Sequence, residues 1–203
     1  MLQVKQIIND IFTSNTWMLF DDCYDYCWLV DIGDYEKVAD ALPQGIEVKG
    51  VFLTHAHFDH IYGMNDLLKS FPSYKLFTSD YGKAAIYDDK KNFSRYHESP
   101  ITYDGTDVVT LKDGDEVEIF PDVIMKVFST PGHCPSCLTY LIDKWIFTGD
   151  SYIPGVKVVT KLPRGNRMQA KQSVDEILKL AENKIICPGH GEVKNGIVRQ
   201  RLQ

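Results

Sequence analysis

Short apolar runs divided by polar turns set the first pattern along this chain. Leu2 to Ile8, Thr16 to Phe20 and Tyr26 to Val30 read as three strands, a meander suited to an antiparallel sheet. After Asp31-Ile32-Gly33-Asp34 a helix is expected from Tyr35 to Leu42, closed by Pro43 and Gly45, and Val48 to Thr54 returns as a strand. Ile61, Met64, Leu67, Leu68 and Phe71 then recur at helical spacing. Leu76 to Thr78 predicts a short strand followed by a helix near Asp80 to Ile86, whereas Asp88 to Asp104 is polar, aromatic and irregular. Val108 to Leu111, Val117 to Phe120, Val123 to Phe128, Leu138 to Ile142 and Trp145 to Phe147 form a second group of strands, turning at Asp113-Gly114 and Asp143-Lys144. A helix from Met168 to Glu182 and the short apolar strand Ile185-Ile186 follow. Two β-rich halves with helices between them predict an α+β fold, sheet packed on sheet with helices outside.

One feature is not explained by packing. Thr54-His55-Ala56-His57-Phe58-Asp59-His60 places four potential metal ligands in six residues, on a turn between a strand and a helix. In extended backbone alternate residues point to one side. His55 and His57 can therefore grip one ion together, while Asp59 and His60 turn towards a neighbouring one. Imidazole suits zinc, iron, copper or nickel, and an added carboxylate suits a hard or borderline divalent ion.

Three more candidates repeat one design. His133 follows Thr130-Pro131-Gly132, Asp150 follows Phe147-Thr148-Gly149, and His190 follows Cys187-Pro188-Gly189, each directly after a strand. Strands deliver these side chains to one edge of the sheets, and a glycine lets the backbone come close to the site. The sixth histidine, His97, lies between Tyr96 and Glu98 without ligand spacing and is read as a surface or core residue.

Composition narrows the function classes. The chain has 203 residues, with no repeat or low-complexity linker, and is read as a single domain over 1–203. A formal net charge of -6 argues against a surface built to hold nucleic acid, so a small-molecule substrate is expected. No export signal is visible at the start and no stretch is long and apolar enough to span a bilayer. Five cysteines, an odd number, favour reduced thiols in a cytoplasm and no structural disulfide.

The order His-x-His-x-Asp-His, Pro-Gly-His, Gly-Asp, Pro-Gly-His-Gly resembles the metallo-β-lactamase-like hydrolase superfamily from about Asp31 to Glu192. The resemblance implies a four-layer αβ/βα sandwich, two mixed sheets with helices on the outer faces and a dinuclear site at one edge. Carried over residue by residue, it gives His55, His57 and His133 to the first metal and Asp59, His60 and His190 to the second. Asp150 would bridge them. Zinc is the expected ion, with iron or manganese as alternatives. Two such ions can share a water whose pKa falls to about 7, giving a hydroxide nucleophile for an ester, thioester, lactone or related bond. Asp59 is assigned a second, catalytic duty in orienting that nucleophile or passing a proton.

The segments around Asp88 to Ser94 and Leu162 to Asn166 look most similar to the glyoxalase II-like branch, whose members cleave thioesters. Two departures separate the chain from glyoxalase II itself. Val158 to Lys161 replaces the familiar Gly-Arg-Thr-Asp segment, and the chain ends soon after His190, before any helical glutathione-binding domain. Lys157, Lys161, Arg164 and Arg167 form a basic run; most simply a solvated loop face, it offers Arg164 as a reader of an anionic substrate group. Tyr152 is a candidate substrate-polarising hydroxyl. Cys134 and Cys137 are read as packing, with redox sensitivity the alternative. The rival enzyme class is a persulfide dioxygenase, similar in the histidine turn but built on one iron. A monomer or homodimer acting away from membranes completes the expectation.

Overall fold

The computed structural model describes residues 1–194 and 197–199. The single-domain reading over 1–203 therefore runs, at its end, outside the described residues. Strands β1 (Gln3–Ile8), β2 (Asn15–Phe20) and β3 (Tyr26–Val30) form the expected antiparallel meander, with Gln3 opposite Phe20 and Trp17 opposite Val30. The chain then changes mode. Strands β4 (Glu47–Phe52), β5 (Lys75–Thr78) and β6 (Val108–Thr110) add in parallel, giving a mixed six-stranded sheet in sequential order. Their connections carry helices α1 (Tyr35–Ala41), α2 (Met64–Ser70) and α3 (Asp80–Ile86). A second mixed sheet of five strands contains β7 (Glu116–Phe120), β8 (Val123–Ser129), β9 (Leu138–Ile142), β10 (Trp145–Gly149) and β11 (Ile185–Pro188). Helix α4 (Arg167–Leu180) lies between β10 and β11 in the chain, and β12 (Glu192–Lys194) pairs with β13 (Ile197–Arg199).

Alternation along the first sheet explains why it is buried on both faces. Met18, Leu29, Val51, Leu53 and Leu76 pack with Val38 of α1, Leu67 of α2 and Ile86 of α3. Their neighbours Trp17, Leu19, Val30, Phe52 and Phe77 point the other way, into a second core with Phe120, Met125, Val127, Tyr140 and Phe147 of the second sheet. The layers are thus helices, sheet, sheet and, through the buried Ala170, Ser173 and Ile177 of α4, helix again. Phe52 and Phe77 stack with centroids 4.6 Å apart and Tyr140 meets Phe52 edge-on at 5.3 Å. Truncating such a ring to alanine costs about 3–5 kcal/mol.

Helix starts follow sequence chemistry. Ser79 accepts from the Gly82 amide at the start of α3, and Asn166 accepts from the amides of Met168 and Gln169 at the start of α4. Each such cap is worth about 1 kcal/mol. No helix among the described residues is long and apolar enough to cross a membrane.

One strand differs from the sequence-based grouping. Val108–Thr110 belongs to the first sheet, with Leu76 opposite Val108, and not to the second group. An alternating strand pattern records that one face is buried but not which sheet edge it joins. Here α3 leads the chain back along the open edge of β5.

Candidate metal centre

Four strand ends converge where the two sheets meet. β4 leads into His55, His57, Asp59 and His60; β8 into His133; β10 into Asp150; β11 into His190. The sheets are tied at this edge by main-chain and side-chain bonds. The Leu138 amide donates to Thr54 O (2.8 Å), Tyr140 Oη to Leu53 O (2.7 Å) and Trp17 Nε1 to Pro188 O (3.2 Å). Glycines allow the close approach: a Cβ on Gly189 would lie 2.2 Å from Asp150 Oδ1 and 3.0 Å from His60 Cε1.

All seven sequence candidates for metal ligation are brought together. His55, His57 and His133 form one group of potential donors within 4.8 Å of one another, Asp59, His60 and His190 a second, and His55, His60 and Asp150 a third that joins them. The Asp150 carboxylate lies between the sets, 3.6 Å from His133 Nε2, 3.3 Å from His190 Nε2 and 3.7 Å from His60 Nε2. Asp59 Oδ2 lies 3.2 Å from His190 Nε2 and 3.5 Å from His60 Nε2.

The orientation of the imidazoles is fixed from behind. His133 Nδ1 lies 2.8 Å from Val159 O and His190 Nδ1 2.9 Å from Phe12 O. A carbonyl only accepts, so both Nδ1 atoms carry the proton, and in the neutral ring the lone pair is on Nε2, aimed into the site. His60 Nδ1 meets Asp31 Oδ2 at 2.9 Å, and His55 Nδ1 meets Thr54 Oγ1 at 3.1 Å. Asp31 is itself held by the Thr54 amide and hydroxyl, both at 2.7 Å. His57 is reversed, its Nδ1 facing His133 Nε2 at 2.9 Å. His60 Nε2 faces His190 Nε2 at 3.3 Å. Nitrogens facing at such distances require a proton or a cation between them. His55 Nε2 and Asp150 Oδ1 are buried in the same space without a hydrogen-bond partner. Imidazole and carboxylate donors so oriented fit a borderline divalent ion.

His55 and His133 are shifted one way, His60 and His190 the other. Burial holds His55 well below the ordinary histidine range, helped by repulsion from His60 and His57, and burial lowers His133. Burial would lower His60 too, but Asp59, Asp31 and Asp150 outweigh it and raise it to about 9. His190 is raised to about 11, against its burial, by Asp150 and Asp59. Asp150 is held well below the carboxylate range, against its own burial, by His190, His60 and His55. The second group thus carries imidazolium protons that an ion would displace.

The remaining candidates lie outside these groups. Arg164 sits over the Tyr81 ring at 5.4 Å, and Tyr81 shares a narrow cavity with His57, Phe93, Cys134 and Pro163. Tyr152 lines a different groove of about 620 Å³ between the 152–160 loop and α4, together with Lys157 and Arg167. The basic run therefore does not form one patch. Cys134 and Cys137 are buried and unbridged, with Sγ atoms 3.3 Å apart, and Cys134 is bonded to Ser136 (3.0 Å). His97 stacks on Phe58 at 4.3 Å and meets Phe12 at 5.8 Å. Sequence reasoning took Asp31 only as a strand stop and missed the carbonyls of Phe12 and Val159, which carry no signature in residue type.

Comparisons with known proteins give the family and the fold. The family model of the metallo-beta-lactamase superfamily matches residues 11–190. The chain is 30% identical over 165 residues to the hydroxyacylglutathione hydrolase of Citrobacter koseri, covering 81% of this chain but 57% of that protein, so it spans little more than half of that relative. In structure it resembles BLEG-1 B3 metallo-beta-lactamase, with a TM-score of 0.84, 25% identity and coverage of 94% of this chain and 92% of the other. It also resembles TTHA1623, solved in a di-iron-bound form, with a TM-score of 0.77, 22% identity and coverage of 93% and 92%.

Proposed function

The chain belongs to the metallo-β-lactamase superfamily, and from that membership we propose that it is a dinuclear metal-dependent hydrolase of a small-molecule ester, thioester, lactone or related bond. The observation that carries this reading is the Asp150 carboxylate, set within 3.7 Å of histidines from both donor groups. His55, His57 and His133 would hold one ion, Asp59, His60 and His190 the other, and Asp150 both. Zinc suits this donor set, as iron or manganese does. Such a pair of ions, when bound, supplies an activated water and a Lewis acid for the electrophilic oxygen.

The chain's own contribution is orientation and proton handling. The acceptors behind His60, His133 and His190 keep their Nε2 atoms aimed inward through the reaction. Asp59, half-buried beside His190, would orient a nucleophilic water or receive its proton. The name of the Citrobacter relative, a hydrolase of hydroxyacylglutathione, puts thioesters first among the bonds.

The metal-loaded protein, assayed against thioesters, lactones, phosphodiesters and a β-lactam, is expected to turn over one class and to lose that activity with chelator. The group His55, His60 and Asp150 supports a second reading, since two histidines and one carboxylate are the donor set of mononuclear iron oxygenases. Oxygen consumption with glutathione persulfide at one iron per chain, without hydrolysis of the panel, would establish that persulfide dioxygenase and overturn the hydrolase.

A further inference from the structure

Among the described residues, eight non-glycine positions have positive φ. Asp122, Asp143 and Asn183 are of the residue types that tolerate it in turns. Of the other five, Asp31 is also of such a type, whereas Phe12, Thr13, Phe93 and Arg164 are not, and Phe12 and Phe93 adjoin the donor groups, the Phe12 carbonyl at His190 and the Phe93 ring at His57. For a bulky side chain this conformation is a genuine outlier that the surroundings must impose. At Phe12 (φ 53) the chain is pinned by bonds from Asn9 N to Ser14 O (2.8 Å), from Ser14 N to Ile11 O (3.1 Å) and from Ser14 Oγ to Asp59 O (2.6 Å). At Phe93 (φ 65) the buried neighbours do it: Asn92 Nδ2 and Ser94 Oγ both donate to Ile101 O, at 3.0 Å each.

The Phe12 ring gains little from this arrangement. It is 61% exposed, so burial does not offset the strain, and glycine or asparagine would fit the same backbone at lower cost. What the ring has is a place. The Phe12 carbonyl supports His190, and its ring meets His97 at 5.8 Å. His97 closes the turn Ser94–Tyr96, which begins after Phe93, and the Phe93 ring meets His57 at 4.9 Å. The Phe12 and His97 rings thus meet on the His190 side of the site, with Phe58 stacked on His97, and the Phe93 ring meets His57 on the other, the two sides being joined through the turn Ser94–Tyr96.

We propose that Phe12, His97 and Phe93 are the specificity wall of the site, and that it takes substrates with an apolar chain beside the scissile bond. This rests on the hydrolase reading and names its substrate class. Phe12 and Phe93 put apolar rings beside the donor groups where a polar substrate would need donors and acceptors, and the strain at both phenylalanines is retained for contact with that chain. Phe12 and Phe93 do not touch the reacting atoms in this account; they position the substrate.

The test is a homologous series: thioesters of one thiol with acyl chains from acetyl to hexanoyl, and of one acid with lengthening thiols. In the metal-loaded wild type, kcat/KM rises by about two- to fourfold per methylene along one series, the effect of half to full burial of each methylene. In Phe12→Asn and Phe93→Asn the ratio of longest to shortest substrate collapses towards one, whereas Phe12→Leu keeps most of it. The ratio is taken within one preparation, so a general loss of activity does not imitate the result. Phe12→Asn also leaves the Tm unchanged or raises it, which a structural role for the ring would not allow. Flat series in the wild type, unchanged ratios in both asparagine variants, or a marked fall in Tm for Phe12→Asn would each overturn the proposal. If no thioester is cleaved, the thioester preference fails separately, and calorimetric binding of butanoate to octanoate decides the wall. Affinity that rises with length in the wild type and not in the variants supports it, and equal affinities overturn it.

Discussion

Asp31 shows how much of this site depends on residues that touch no substrate. Its carboxylate holds His60 Nδ1 and takes two bonds from Thr54, all of them buried. Asp31→Ala leaves those groups unpaired, an effect of about 3–5 kcal/mol on stability for a broken buried pair and about 10- to 100-fold on metal affinity for a lost orienting partner. Urea unfolding and zinc titration measure the two, and wild-type values for both would remove Asp31 from the account. Protonation gives a second expectation. With His60 raised to about 9 and His190 to about 11 in the metal-free protein, loading at pH 7.5 displaces both protons. Calorimetry in buffers of different ionisation enthalpy then reads about two protons per chain from the imidazoles, in addition to any lost by a metal-bound water, and release below about one would show that these imidazoles are neutral. The convergence of the candidate ligands on the 54–60 turn was legible in the sequence because four in six residues have no packing explanation. The carbonyls of Phe12 and Val159 were not, since any residue supplies one and only the fold decides which is near.

Among elements, α4 sets the position of the His133 loop. Gly132 has φ +135 and a Cβ there would lie 2.2 Å from the Ala170 amide nitrogen, while its carbonyl receives the Asn166 amide at 2.8 Å. Gly132→Ala therefore displaces α4 or the loop and costs about 2 kcal/mol or more, with zinc affinity falling alongside stability. Loss of neither would mean that the loop is held by other contacts. Most strands and all four helices were readable from period and punctuation, because the first sheet alternates between two cores and α3 and α4 start at capping residues. Two features were not. The sheet membership of β6 depends on which edge is free, and the 88–104 segment is ordered by buried Asn92 and Ser94 bonding to backbone, a device without periodicity.

At the scale of the molecule, two sheets tied together at one edge put charged groups where water is scarce, and stability is linked to pH through them. His60 and His190 have folded pKa values raised above the ordinary 6.5. In the metal-free protein their stabilisation is therefore full below about 6.5 and is lost as pH rises through about 9 and then about 11. An ion needs the same imidazoles unprotonated, so the Tm increment from metal loading grows between pH 6 and pH 9; an increment that shrinks over that range would contradict the shared use of these groups. The hydrolase proposal requires one carboxylate, Asp150, to join two complete donor sets. Its most direct test is the zinc content, by elemental analysis, of metal-free protein reloaded with zinc and dialysed. About two ions per chain are expected, the number that a paired site holds. One ion or fewer per chain in folded protein would contradict it.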